Sequence, residues 1–118
     1  MNVHSARELA RVHQALAEPN RIRILKMLEI RPLCVCEITA VLQLAASTVS
    51  KHLSILREAG FIVDHKDGKW VNYQLNEHPD PKVVGTCFSH LARLLTNDET
   101  VLSDAEKVRS VDRHQLCK

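Results

Sequence analysis

A short apolar helix, a three-residue turn, a second helix fronted by serine and threonine and closed by glycine, and two β-rich runs around Asp67-Gly68 predict a mainly α fold with a β-hairpin. That order of elements is a winged helix-turn-helix. The 118-residue chain is expected to form one such domain over 1–118, with about five to six helices and two strands.

Each element has a local signal. Ser5 followed by Glu8 is a capping box, and Leu9, Val12 and Leu16 recur at helical spacing, which predicts a first helix over 6–17. Pro19 suits the first turn of a second helix over 19–30, whose Ile22, Leu25 and Leu28 share a face until Arg31-Pro32 interrupts it. A third helix over 35–42 turns Ile38, Val41 and Leu42 inward, and Gln43-Leu44-Ala45 is the turn after it. The fourth, over 46–59, stacks Val49, Leu53 and Leu56 on one stripe and ends at Gly60, a left-handed cap. The runs Phe61 to His65 and Trp70 to Leu75 are β-branched and aromatic, so 61–75 reads as a wing hairpin turning at Asp67-Gly68 with Lys66 and Lys69 beside the tip. Over 81–95, Val84, Cys87, Phe88, Leu91, Leu94 and Leu95 build a broad apolar face suited to dimerisation. The remainder, 96–118, reads as a polar, mobile tail with room for one weak helix.

Composition sets the chemical frame. Hydrophobic residues at 45% and charged residues at 25% are globular proportions, and no apolar run has the length of a membrane span, so a soluble protein without a membrane partner is expected. Met1 to Arg7 lacks the apolar centre of a secretory leader. A cytoplasmic location follows as the expectation, with the four cysteines mostly reduced and serving metal or redox chemistry instead of a disulfide framework. A net charge of +2 does not establish a nucleic-acid partner, because the positions of Lys and Arg decide that. Here they do. Ser47, Thr48, Ser50, Lys51 and His52 lie on the N-terminal half of the fourth helix, where free amides favour phosphate, and Lys66 and Lys69 on the hairpin add backbone contacts. The expected partner is duplex DNA. An enzyme is not expected: the chain has no C-x-x-C, no phosphate-cradling glycine loop among its three glycines, and no paired-carboxylate or nucleophile–base set. Nor is an organic cofactor expected.

Four segments taken together, Leu16 to Leu25, Leu33 to Ile38, Ser47 to Leu53 and Leu56 to Gly60, resemble the ArsR/SmtB family of metalloregulatory repressors, over about 9–95. The resemblance implies a homodimer built from the first and last helices that represses an operator until an ion binds. Leu33-Cys34-Val35-Cys36 followed by Glu37 is similar to the members that respond to trivalent arsenic or antimony, which makes Cys34 and Cys36 the expected ligands. Thiolates suit such soft ions. Where some relatives carry another cysteine three residues after the second, this chain has Thr39, so a third sulfur would come from elsewhere, from Cys117 in preference to Cys87. The interfacial zinc pattern of other members is not supplied by Asp80-Pro81-Lys82 with His90-Leu91-Ala92-Arg93. The N-terminal cysteine of cadmium and lead responders is also missing, with His4 and His13 as imperfect substitutes. A thiol redox switch, or a cadmium-, lead- or zinc-responsive repressor of the same fold, are the alternatives.

Residues two apart on an α-helix point about 200° from each other, so a regular helix would not bring both sulfurs to one ion. The backbone at Cys34-Val35-Cys36 is therefore expected to be irregular, or to become so when an ion is captured and shifts the fourth helix, helped by Pro32, with helix N-terminal amides favouring the thiolate and Glu37 partly opposing it.

Overall fold

The computed structural model describes residues 5–79 and 82–116. Among them, seven helices and a three-stranded antiparallel sheet form a winged helix-turn-helix. No described helix is long and apolar enough to cross a membrane.

α1 (Ala6–Ala15) starts at Ser5, whose hydroxyl accepts the Glu8 N–H at 3.1 Å, as the capping box predicts. It stops two residues before the expected end. Glu18 must be extended (φ −138°, ψ 125°) to precede Pro19 and to cap α2 (Pro19–Leu28) by accepting the Arg21 N–H at 3.1 Å, so α1 has no room to continue. α2 ends two residues before the expected 30. α3 (Val35–Leu42) and α4 (Ala46–Glu58) are joined through Gln43, in the left-handed region at φ 57°, which turns the chain sharply enough for the pair to pack. Gly60 follows α4 at φ 93°, where a side chain would be strained.

The hairpin differs from expectation by one residue. β2 (Ile62–Asp67) and β3 (Trp70–Leu75) close on the pair Asp67 and Trp70, so the two-residue loop is Gly68-Lys69 and not Asp67-Gly68. Gly68 has φ +61° and Lys69 is not left-handed, the pattern of a type II′ turn, which needs glycine at its first central position. Moreover, the sheet has a third strand. β1 (Leu33–Cys34) pairs with β3 in the register Leu33 to Tyr73 and Cys34 to Asn72, giving the order β1-β3-β2.

The expected long final helix is instead α5 (Val83–Leu91), and the expected mobile tail contains α6 (Glu99–Ser110) and α7 (Arg113–Leu116). α6 packs against α2 and α3 and sends Val108 and Asp104 into the interior, both 3% exposed or less. The rest of the core comes from Ile24, Leu25, Met27, Ile38, Val41, Val49, Leu53, Leu56 and Phe61. Phe61 meets Phe88 edge-on with ring centroids 5.7 Å apart, which ties α5 to the start of the wing.

Asp104 is tolerable inside only because Arg23 grips both its oxygens, at 2.8 and 2.9 Å. Removing the guanidinium in Arg23→Met leaves a buried carboxylate unpaired. A loss of about 3 kcal/mol is expected from the midpoint of urea unfolding, while an unchanged midpoint would show the pair to be incidental.

Candidate nucleic-acid interface and thiol site

The front of α4 is open. Its N-cap, Ala45, offers no side-chain hydrogen bond, so the first amides of the helix face solvent without a cap. Ser47, Thr48, Ser50 and Lys51 are exposed around them. A concavity of about 540 Å³ runs beside this end, lined by Arg21, Ser47, Thr48, Lys51, His52 and Ile55. Such a surface presents donors and positive charge to a polyanion.

His52 differs from its neighbours. Its side chain is 13% exposed, with Nδ1 3.2 Å from Arg21 Nη1 and Nε2 3.7 Å from Glu18 Oε2. Arg21 in turn donates to the carbonyls of Ala15 at 2.7 Å and Gln14 at 2.9 Å, capping the end of α1. His52, expected to reach outward toward DNA with Lys51, instead turns its ring to Arg21 and Glu18 and so braces α4 against the α1–α2 corner. Arg21, which no local sequence signal singles out, joins the three helices.

The wing carries Lys66 and Lys69 on its exposed surface, with Lys69 Nζ 4.8 Å from the centroid of the Trp70 ring. Its far side is engaged. Arg113 of α7 donates to Asn72 Oδ1 and Asp67 Oδ2, both at 2.8 Å, and its guanidinium lies 4.3 Å from the Trp70 centroid. The Arg113 hydrogen bond and charge hold the Asp67 carboxyl below the usual carboxylate range.

The thiol pair sits at the seam of these elements. Cys34 ends β1 and is also the N-cap of α3, extended at φ −91°, ψ 169°, and 2% exposed. The irregular backbone expected at the C-x-C is this junction: Cys34 lies outside the helix that Cys36 has entered. Glu37 closes the cap, its Oε1 accepting the Cys34 N–H at 3.0 Å, while Arg31 donates to Glu37 Oε2 at 3.1 Å and to the carbonyls of Val108 and Val111 at 3.0 and 3.2 Å. Burial pushes the Cys34 thiol above its ordinary range, the Glu37 charge adds to this, and the amide of Glu37 opposes it without prevailing. The expected lowering by helix amides is therefore reversed by desolvation.

Cys36 is half-buried and disulfide-bonded, at variance with the expectation that the cysteines stay mostly reduced. Cys34 and Cys87 are free. Cys87, on α5, packs against the core, and burial raises its thiol as well. Cys117, the expected optional third ligand, lies outside the described residues, as do His4 and Asp80. Among the described residues no group of three or more His, Cys, Asp and Glu side chains is arranged to hold a metal ion. With the disulfide at Cys36 reduced, Cys34 and Cys36 would offer two soft sulfurs, one on either side of a strand-to-helix junction, a chemistry that suits a thiophilic ion better than an oxygen-seeking one. Thr39, one turn after Cys36, keeps its hydroxyl buried without a hydrogen bond.

Of the apolar faces expected to form a dimer interface, Val12, Val84 and Leu91 are buried in the chain's own core, whereas Leu9, Leu94 and Leu95 stay exposed.

A family model described as bacterial regulatory protein, arsR family, matches residues 18–63. The arsenical resistance operon repressor of Escherichia coli is 42% identical over 64 residues, covering 53% of this chain and 55% of that protein. The chain thus spans little more than half the length of that relative. The arsenic resistance transcriptional regulator ArsR2 of Pseudomonas putida is 36% identical over 103 residues, 86% of each chain. A homolog of the cadmium resistance transcriptional regulatory protein CadC from Staphylococcus aureus is 31% identical over 84 residues, 70% of this chain and 69% of that one. Among solved structures, HlyU from Vibrio cholerae superposes with a TM-score of 0.64 at 30% identity, covering 76% of this chain and 94% of its own. The curated relatives are regulators of transcription, not enzymes.

Proposed function

Because the chain belongs to the arsR family of bacterial regulatory proteins, we propose that it is a cytoplasmic homodimeric repressor that holds duplex operator DNA and lets go when Cys34 and Cys36 capture trivalent arsenic or antimony. The observation that carries this reading is the place of Cys34. It ends the strand that pairs with the wing and caps the helix that packs on α4, so no ligand reaches its sulfur without disturbing an element of the DNA-binding unit.

In this reading Ser47, Thr48, Ser50 and Lys51 enter the major groove with the uncapped amides of α4, His52 holds the helix at its angle, and Lys66 and Lys69 take phosphates. Leu9, Leu94 and Leu95 cover their counterparts in a second copy. A third sulfur, where the site takes one, comes from Cys117.

Titrating operator-bound protein, first reduced to open the disulfide at Cys36, with arsenite and following fluorescence anisotropy tests the core of the proposal. Release is expected near stoichiometric arsenite; DNA that stays bound at saturating arsenite rejects it. The wing has its own test. Lys66→Ala with Lys69→Ala should weaken binding to operator and random DNA by the same factor, and the slope of log K against log salt should fall by about 0.9 for each phosphate that is no longer neutralised.

The disulfide at Cys36 favours a second reading, in which oxidation takes the place of the ion. Mild peroxide would then release DNA and change mobility on non-reducing gels, and arsenite would act only on reduced protein. A cadmium-responsive repressor, as the name of the staphylococcal relative suggests, would instead be released by cadmium at lower concentration than by arsenite.

A further inference from the structure

We infer that the C-terminal segment, from the end of α6 through α7, is a clasp that fixes the orientation of the wing, and that Arg113 is the residue that closes it. One end of the segment is fastened to the thiol junction. Arg31 binds the carbonyls of Val108 and Val111 with the same nitrogen that it gives to Glu37, and Glu37 holds the Cys34 N–H. The other end is fastened to the wing. Arg113 reaches Asp67 at the hairpin loop and Asn72 further down β3, its guanidinium lies over the Trp70 ring, and His114 meets that ring edge-on at 4.9 Å and 84°.

These contacts close a circuit, because Asn72 is also the sheet partner of Cys34. The space inside it is a cavity of about 420 Å³ lined by Arg31, Pro32, Glu37, Asn72, Arg113 and His114, with Val111 and Asp112 completing the wall. A cavity of that size leaves the ring free to change shape without repacking the core, since its polar members exchange partners with water.

The physical case for a positioning role is the isolation of the hairpin tip. Strand β2 is exposed from Val63 to Asp67, so the outer half of the wing rests on little apolar packing. A two-stranded ribbon of this kind is marginal by itself. The bidentate hold of Arg113 on two points of the ribbon, with stacking on Trp70 between them, supplies the missing constraint. The junction at Cys34 and the wing thus share one fastener, so a disturbance of the Glu37 and Arg31 cap is felt at the wing. This second half rests on the DNA-release reading above; the first half does not.

Trp70 is the only tryptophan in the chain and reports the clasp directly. Arg113→Met keeps the aliphatic stem and removes the fork. Without DNA or inducer, its Trp70 fluorescence should shift in wavelength and its anisotropy should fall, with Arg113→Lys intermediate. Operator affinity should drop about three- to tenfold, and the factor by which arsenite weakens operator binding should shrink at least threefold, while arsenite affinity of the DNA-free protein stays unchanged. Trp70 emission and operator affinity equal to the parent would overturn the clasp. Altered emission with an undiminished arsenite factor would overturn its link to the thiol junction. A parent protein that arsenite does not release would count against the inducer reading alone, since the fluorescence and apo-affinity results stand apart from it.

Discussion

Replacing Cys34 and Cys36 together by serine should leave operator affinity within about twofold of the parent and abolish release by arsenite at any concentration that releases the parent. At Cys34 serine is tolerated for a specific reason, and at Cys36 it removes only a disulfide that reducing conditions have already opened. Cys34 is the N-cap of α3, a position where a serine hydroxyl accepts the amide of Glu37 better than sulfur does, so the substitution removes the ligand while strengthening the cap. The pH dependence then identifies the ion. Burial keeps the Cys34 thiol protonated at neutral pH. Once an added dithiol has reduced the disulfide at Cys36, capture of arsenous acid by the two thiols replaces two As–O bonds by two As–S bonds and two waters leave, with no net proton released, so the affinity stays level between about pH 6.5 and 8. A divalent cation must instead expel the proton of the Cys34 thiol, and its affinity should climb about tenfold or more per pH unit. The rate behaves differently from the equilibrium. The thiolate is the attacking form, so the association rate for arsenite should rise about tenfold per pH unit below the raised thiol pKa even though the equilibrium does not move. Release retained in the double serine variant removes the cysteines from the mechanism; a steep equilibrium pH dependence removes the metalloid in favour of a divalent ion.

The parts of the molecule that follow from short-range signals are legible in the sequence. Ser5 and Glu8 start α1, the Gln43 turn separates α3 from α4, and Gly60 takes the left-handed position after α4, each because a neighbour within four residues decides the conformation. What escapes is decided at a distance. β1 is two residues long, too short to show alternation, and exists because β3 has an open edge some forty residues later in the chain. His52 sits on the polar side of α4 by periodicity and yet turns toward Arg21, because Arg21 projects from another helix. The thiol site shows the same division. Its ligands are visible as a C-x-C, but its burial, and hence the upward shift of Cys34, comes from elements that cover it.

The largest stability effect is expected where the sequence looks least structured, in α6. Val108→Asp should cost about 4 kcal/mol in urea unfolding, whereas Glu106→Ala on the outer face should stay within about 0.5. A mobile polar tail would make the two variants alike. α6 presents few apolar residues, and its polar composition resembles that of a solvated segment. Its docking depends on two features that no periodicity reveals. Val108 is fully buried against α2 and α3, and the polar residue on its inner face, Asp104, is neutralised by Arg23, 81 residues earlier. An aspartate at 108 would place a second carboxylate in the same interior with no guanidinium left for it, because Arg31 already commits one nitrogen to Glu37 and the Val108 and Val111 carbonyls and the other to the Pro32 carbonyl. The clasp should fail in the same variant, since α7 hangs from the end of α6, and the Trp70 emission should move before the protein unfolds globally. A urea titration that shows the Trp70 change at lower denaturant than the loss of helical circular dichroism would place the C-terminal segment as the weakest cooperative unit of the fold. Coincident transitions would instead make α6 inseparable from the helix-turn-helix it covers.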